Sequence, residues 1–410
     1  MTIDAEVADP TRQRDRRPTV MLAMATLGFA LNFWAWALLS PLAPKFKVAL
    51  HLSSFQQAVL VAVPVLVGSL GRIPVGALTD RFGGRVMLPA VSFVTIVPVL
   101  FLGLAGHSSY AALLVGGFFL GVAGTAFAVG VPFVNGWFPP NRRGMAVGVF
   151  GAGMGGTAVS ALTTVKLAGA HGMSAPFLLT AGALAVYGIV AALILRDAPR
   201  PATTTEPFLT RLVATARLPI TWRASVLYAV AFGGYVAFSV YLPTYLKTGY
   251  SLTPADASDK MAGFVLIAVV MRPVGGWLSD RVHPARVLVG AFGVVAVASL
   301  VQSATPTLMP VGTVAFLAMA AALGAASGAV FALVAQRAPA DRVGSVTGLV
   351  GAAGGLGGFV PPLVMGAVYG RYGSYATGLI ALTAVAALVA LLSVQTARRP
   401  ASASRTVQHV

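Results

Sequence analysis

The sequence predicts an all-α membrane protein of twelve transmembrane helices, arranged as two six-helix halves in parallel repeat. Three observations carry this prediction. The chain of 410 residues is 57% hydrophobic and only 10% charged, too little charge for a water-solvated domain of that length. Apolar runs long enough to cross a bilayer, about 20 residues each, recur from one end to the other. Motifs of the first half also return in the second at a fixed separation, as Arg72 does in Arg272.

The apolar runs lie at 19–43, 55–78, 86–105, 108–134, 143–167, 175–195, 222–246, 259–279, 286–303, 308–336, 343–369 and 373–395. The first follows Arg12, Arg14, Arg16 and Arg17 and is too long for the apolar core of a cleaved signal, so it is expected to stay as the first helix. The most polar internal stretch carries Pro199, Pro201 and the run Thr203-Thr204-Thr205. The expected organisation is therefore a tail at 1–18, a bundle at 19–195, a linker at 196–221, a bundle at 222–395 and a tail at 396–410. The 46 glycines and 26 prolines suit membrane bundles, where small residues let helices approach and neighbours restore freed backbone groups. With no cysteine in the chain, disulfides, thiol catalysis and Cys-based metal sites are excluded.

A net charge of +17 invites a nucleic-acid reading, but the distribution of charge opposes it. Of the 28 Lys and Arg, Arg72 and Arg272 lie deep in spans, and six (Lys45, Lys47, Lys166, Lys247, Lys260 and Arg371) fall on one side of the topology. The other 20, among them Arg81, Arg85, Arg142, Arg200, Arg281, Arg342, Arg399 and Arg405, fall on the opposite side. Such bias orients a membrane protein, and it places both termini in the cytoplasm. The expected partners are the lipid bilayer and a small solute, with no nucleic acid. The expected location is the cell (inner) membrane, with a multi-pass monomer.

The repeat is specific. Arg72, Gly76, Leu78, Asp80 and Arg81 recur as Arg272, Gly276, Leu278, Asp280 and Arg281, and Pro139, Gly144, Gly151 and Gly155 recur as Pro339, Gly344, Gly351 and Gly355. Six helices plus six in parallel repeat is the layout of an alternating-access carrier, with its site between the halves at mid-membrane.

Depth separates the ionisable groups. All eleven acids and all five histidines sit in tails, loops or helix ends. Only Arg72 and Arg272 are deep, each about 12 Å in from its loop aspartate at about 1.5 Å per residue. An arginine there costs about 2.5–3.5 kcal/mol on insertion scales and does not escape by deprotonation. One such residue alone reads equally as a structural arginine bonded to carbonyls. A pair at equivalent positions without an acid reads as a site for a small anion, whose oxygens suit planar guanidinium forks. Span five carries Gly151, Gly155 and Gly156, and span eleven carries Gly351, Gly354 and Gly355. Such spacing serves either plain helix packing or close approach of a backbone to a ligand. No nucleophile, base and orienter come together within the spans, so no catalytic, metal or cofactor site is expected and an enzyme is disfavoured.

The run Gly76-Ala77-Leu78-Thr79-Asp80-Arg81-Phe82-Gly83-Gly84-Arg85, with its looser copy from Gly276 to Arg286, resembles the loop 2–3 signature of the major facilitator superfamily. That resemblance implies the major facilitator fold and a gating role for Asp80, Arg81, Arg85, Asp280 and Arg281, which would latch helix ends in one conformation. A narrower likeness comes from Leu70-Gly71-Arg72-Ile73-Pro74, Arg272, and the run from Gly351 to Phe359. Together they resemble the nitrate/nitrite porters of that superfamily.

This second resemblance implies that Arg72 and Arg272 bind the anion from either side. It further implies that Phe127 and Phe331 sandwich the anion and that Tyr228 and Phe232 line the site. Gly156 stands where that family has an asparagine near the substrate, so that hydrogen bond is lost or passes to Thr157. The expected function is nitrate and nitrite transport by exchange, since no titratable group accompanies the arginines. Proton-coupled nitrate symport, or a carrier for cyanate, formate or a carboxylate, stands as the alternative. A drug–proton exporter is disfavoured because span five lacks a Gly-Pro pair and the site lacks a carboxylate.

Overall fold

The computed structural model describes residues 17–198, 208–339 and 342–398. Arg12, Arg14, Arg16, Arg200, Arg399, Arg405 and the threonine run 203–205 lie outside the described residues. Within them, twelve helices are long and apolar enough to cross a membrane. In the first half they are α1 (Arg17–Ala49), α2 (Ser54–Phe82), α3 (Gly84–Leu104), α4 (Tyr110–Trp137), α5 (Met145–His171) and α6 (Ala175–Ile194). In the second they are α7 (Pro219–Tyr250), α8 (Pro254–Arg281), α9 (Pro284–Ser303), α10 (Leu308–Arg337), α11 (Ser345–Tyr372) and α12 (Ala376–Gln395). No strand occurs among the described residues.

Several helices outrun their apolar cores, because caps rather than hydropathy set helix ends. The α8 helix starts at Pro254, where the Thr253 side chain accepts from the Asp256 N–H at 3.2 Å. At the start of α2, Ser53 and Gln56 form a reciprocal capping box. The linker also folds in part, forming a helix at Phe208–Ala216 that the sequence reading treats only as a connection. It is tied to α7 through Thr221, which donates to the Thr215 carbonyl at 2.8 Å.

Large aliphatic side chains face outward, among them Val97, Val186, Leu193, Val270 and Leu391. Lipid tolerates such a surface where water would not. Inside, glycines let backbones touch. A Cβ at Gly275, Gly324 or Gly328 would strike the carbonyl oxygens of Ala325, Ala268 and Arg272 respectively, so α8 and α10 pack backbone to backbone. In the first half, Gly68 of α2 meets the Gly121 carbonyl and Gly124 of α4 in the same way.

Helix continuity fails at one level of the first half. The α2 helix breaks between Leu70 and Arg72. Nearby, α4 tightens to a 3₁₀ segment at Gly121–Thr125 and α5 at Ala152–Gly155. Such tightening redirects backbone carbonyls away from the regular helical ladder. In the second half, α8 runs unbroken through Arg272 and α10 through Phe331.

The bundle is closed at one end and open at the other. On the face away from the loop 2–3 signature, Ser40 Oγ of α1 donates to the Val240 carbonyl of α7 at 2.6 Å, and Gln57 of α2 to Thr244 Oγ1 of α7 at 2.9 Å. Lys166 of α5 pairs with Asp259 of α8 at 3.0 Å on that same face. Towards the signature face, a cavity of about 310 Å³ runs between α2, α4 and α11 from Arg72 past Gly76 to Asp80. Leu212 of the linker helix forms part of its wall.

Candidate functional site

Arg72 and Arg272 are buried, at 8% and 6% exposure, in a chain whose loops could have held them in water. Each reaches across the seam between the halves. Arg72 Nη1 on α2 donates to the Gly351 carbonyl of α11 at 2.7 Å, and its Nε to the Gly124 carbonyl of α4 at 3.3 Å. Arg272 Nη1 on α8 meets Met154 Sδ of α5 at 2.6 Å, and its Nη2 donates to the Tyr228 hydroxyl at 2.8 Å. No carboxylate among the described residues pairs with either guanidinium.

The two glycine-rich helices are the surfaces on which the arginines rest. The Arg272 guanidinium lies 3.7 Å from where a Cβ on Gly151 would be, and Arg72 Nη1 lies 3.2 Å from that position on Gly355. Any larger side chain at Gly355 would also strike Ser69, and one at Gly354 would strike the Tyr228 ring. A guanidinium approaches a helix backbone this closely only where side chains are absent. The glycines therefore admit the opposing arginine, which joins the packing and ligand-approach readings of the sequence.

The aromatic residues form the floor. Phe232 sits under both charges, 5.8 Å from the Arg72 guanidinium and 5.7 Å from that of Arg272. Phe127 lies 5.2 Å from Arg72, and Phe331 lies 5.7 Å from Arg272. Tyr228 stacks on Phe232 with ring centres 5.1 Å apart and planes 2° from parallel. Ring faces are electron-rich and favour a desolvated cation by about 0.5–2 kcal/mol, which offsets part of the insertion cost of the arginines. The Tyr228 oxygen accepts from Arg272, which leaves its own O–H as a donor polarised by the cation.

At Gly156 the helix-packing reading of the glycine run describes the contact. That residue packs against α1, where a Cβ would strike the Ala30 carbonyl, so its place is helix–helix contact and not the arginine pair. Thr157 is likewise occupied, 3.1 Å from the Tyr235 hydroxyl and donating to the Met154 carbonyl at 2.9 Å. Gly155 borders open space. The polar group that meets Arg272 from span five is Met154, which the sequence does not single out, because a thioether carries no charge and matches no signature.

Asp80, Arg81, Arg85, Asp280 and Arg281, the residues expected to gate, are all exposed, at the open face. Arg81 lies over its neighbour Phe82 at 5.2 Å and Arg281 over Trp277 at 3.9 Å, so each contacts a ring on its own helix. Asp197, after α6, was also missed. Its carboxylate accepts from the Arg85 N–H at 3.0 Å and crowds Gly83, whose φ of +79° further favours glycine. It caps the start of α3, where a carboxylate meets the positive end of the helix dipole.

Comparison with known proteins follows this geometry. A model of the Major Facilitator Superfamily matches residues 25–362 and 224–409. The chain is 50% identical over 349 residues to the probable nitrate/nitrite transporter NarK2 of Mycobacterium tuberculosis, covering 85% of this chain and 88% of that one. It is 34% identical to the nitrite extrusion protein of Bacillus subtilis, covering 86% and 88%. It is 33% identical to the probable nitrate/nitrite antiporter NarK1 of Thermus thermophilus, covering 87% of each. Among solved structures, a bacterial homologue of the human lysosomal transporter Spinster, inward-facing and unoccupied, superposes with a TM-score of 0.75 at 19% identity, covering 94% of this chain and 98% of that one. The chain belongs to the nitrate/nitrite porter family of the Major Facilitator Superfamily.

The packing of Gly156 against α1 is open to test. Gly156→Asn, which restores the family's residue, forces a side chain against the Ala30 carbonyl, and overpacking of that kind costs about 1–3 kcal/mol. The variant is expected to melt several degrees below the parent in a detergent thermal-shift measurement. Unchanged melting would place Gly156 at a free surface instead.

Proposed function

We propose that this chain is a secondary carrier that exchanges nitrate and nitrite across the cytoplasmic membrane by alternating access. The observation that carries the reading is the buried pair Arg72 and Arg272, sharing the Phe232 ring and reaching across the seam without an acid. Two guanidinium forks with a phenol donor beside them match a small planar oxyanion with acceptors along its rim. The names of the relatives point to the same ions. Arginine bias puts the loop 2–3 face and both termini in the cytoplasm, so the conformation described here opens inward, along the cavity that starts at Arg72.

An arriving anion has three polar groups to engage. The Arg72 fork exchanges its Gly351 carbonyl for substrate oxygen, and the Arg272 fork exchanges the weakly accepting Met154 sulfur. Tyr228 contributes its hydroxyl proton, and Phe127, Phe232 and Phe331 exclude water from the flanks. Because each arginine belongs to one half and leans on the other, an anion held by both forks ties the halves together at the midplane. Reorientation then moves the halves about that tie. Asp80, Arg81 and Arg85, with Asp280 and Arg281, close the cytoplasmic end when the helix ends meet.

Replacement of Arg72 or Arg272 by Lys keeps the charge and removes the fork. A bond to a charged group is worth about 1.5–3 kcal/mol, so nitrate exchange is expected to fall at least about tenfold, with folded yield retained. Near-normal exchange in both variants would remove the pair from the site. Tyr228→Phe keeps the ring, loses one bond of the same kind, and is expected to weaken nitrate affinity about tenfold or more. The check is equilibrium binding to purified protein, and unchanged affinity would leave Tyr228 with a packing role.

Coupling follows from the charges. Without an anion the two cations repel and lack a counter-ion, and neither titrates at physiological pH. The loaded carrier therefore reorients faster than the unloaded one, which is the definition of an exchanger. Proteoliposomes preloaded with nitrite or nitrate are expected to take up external nitrate rapidly, and vesicles without internal anion slowly, with little response to a pH gradient. Strong proton-driven uptake into anion-free vesicles would establish symport and leave the substrate assignment in place.

A further inference from the structure

At the closed face, a second pair of cations repeats the arrangement of the first. Lys47 on α1 and Lys247 on α7 are related by the same repeat that relates Arg72 to Arg272. Residues so related come together only beside the pseudo-twofold axis between the halves. Ser40, bonded to the Val240 carbonyl across the seam, marks that axis one to two turns deeper. Lys247 Nζ lies 3.3 Å from the Pro44 carbonyl, one turn before Lys47 on α1.

Their neutral contacts are few. Lys47 Nζ is 3.0 Å from Ser54 Oγ of α2 and 5.8 Å from the Tyr369 ring of α11. Acids on this face have other partners, Asp259 with Lys166 at 3.0 Å and Asp256 with Thr253 at 2.6 Å. Both lysines are half-buried. A continuous stripe on α7 joins them to the arginines. Tyr228, Phe232, Tyr235, Ser239, Pro243 and Lys247 recur at three- and four-residue spacing on one face, a length of about 28 Å at 1.5 Å per residue.

We propose that Lys47 and Lys247 form an outer anion subsite on the transport axis, holding a small monovalent oxyanion on its way to or from the arginine pair. The proposal rests on the anion-carrier reading above. Like charges brought together in the closed seam repel, and an anion between them relieves that repulsion. When the seam opens, the two ammonium groups stand on opposite lips of the mouth, where fixed charge raises the local concentration of anions. The contacts with Ser54 and the Pro44 carbonyl park the lysines while the seam is shut.

Two measurements on the full chain test the subsite. The first is amine labelling of purified protein, read residue by residue by mass spectrometry during a nitrate titration. Nitrate is expected to protect Lys47 and Lys247 at least about threefold more than Lys260, and to do so also in Arg72→Gln, where the central site is lost. Equal protection of all lysines, or protection that vanishes in Arg72→Gln, would overturn the subsite. The second measurement is the external KM for nitrate in proteoliposomes at low ionic strength and in about 0.5 M gluconate. Lys47→Gln combined with Lys247→Gln is expected to raise the low-salt KM about threefold or more, with the difference collapsing in high salt as screening predicts. Lys47→Arg combined with Lys247→Arg, which keeps both charges, is expected to retain the parent's low-salt KM. The same KM and salt response in the Gln variant and the parent would overturn the proposal. Protection of Lys47 and Lys247 in a protein that fails to move nitrate would sustain the subsite while refuting the carrier reading, so the two fail separately.

Discussion

Two guanidinium groups are buried deep within the bundle with no acid among the described residues to neutralise them, and much of the surrounding structure answers that constraint. Insertion of each costs about 2.5–3.5 kcal/mol, and neither can shed its proton. The protein meets the cost by reciprocity across the seam. Arg72 of the first half is held by a carbonyl of α11, and Arg272 of the second half by a sulfur of α5. Those two helices are equivalent in the repeat, as Gly151 and Gly351 show. Each half thus supplies one charge and one glycine-lined cradle for the charge of the other.

The broken helices follow from the same need. In the first half, α2 is interrupted just before Arg72 and α4 tightens at Gly121–Thr125, and the Gly124 carbonyl within that tightened segment accepts from Arg72 Nε. In the second half α8 runs unbroken through Arg272, and Arg272 has a phenol and a thioether where Arg72 has two carbonyls. The repeat is therefore symmetric in placement and asymmetric in chemistry. The side of Arg72 is anchored by strong backbone acceptors. The side of Arg272 carries the donor hydroxyl and a weak sulfur contact, and so holds the groups that yield most easily to an incoming oxyanion.

Much of the architecture was legible in the sequence because hydropathy, arginine bias and the repeat each report a constraint imposed by the bilayer. The helix ends were legible only approximately. Thr253 and Ser53 cap α8 and α2 beyond their apolar cores, and apolar length records membrane thickness, not capping. The arginines stood out because charge at that depth is costly. Met154 and Asp197 did not, for opposite reasons. Met154 is one more apolar residue until its sulfur meets Arg272, and Asp197 is one more loop acid until the fold brings it to Gly83 and the Arg85 N–H. Gly156 was legible as a glycine but not in its partner, since nothing in its own neighbourhood of sequence announces the Ala30 carbonyl on α1.

The distribution of bonds along the seam accounts for a carrier that moves as two bodies. At the closed face the halves are joined by bonds between neutral groups, Ser40 to Val240 and Gln57 to Thr244, and by the exposed pair Lys166 with Asp259. Exposed ion pairs contribute only about 0–1 kcal/mol, and water that enters an opening seam replaces the neutral bonds nearly in full, since their net worth is about 0.5–1.5 kcal/mol each. The arginine bonds at the midplane differ, because in each a buried guanidinium donates to an uncharged acceptor, and a bond with one charged partner is worth more, about 1.5–3 kcal/mol. The outer seam is consequently inexpensive to break, which leaves the arginine pair as the level at which a bound anion would hold the halves together. On the proposed mechanism, a substrate that binds both arginines replaces the Gly351 and Met154 contacts with a tie of its own between the halves, which is how a single small anion would govern the motion of the bundle.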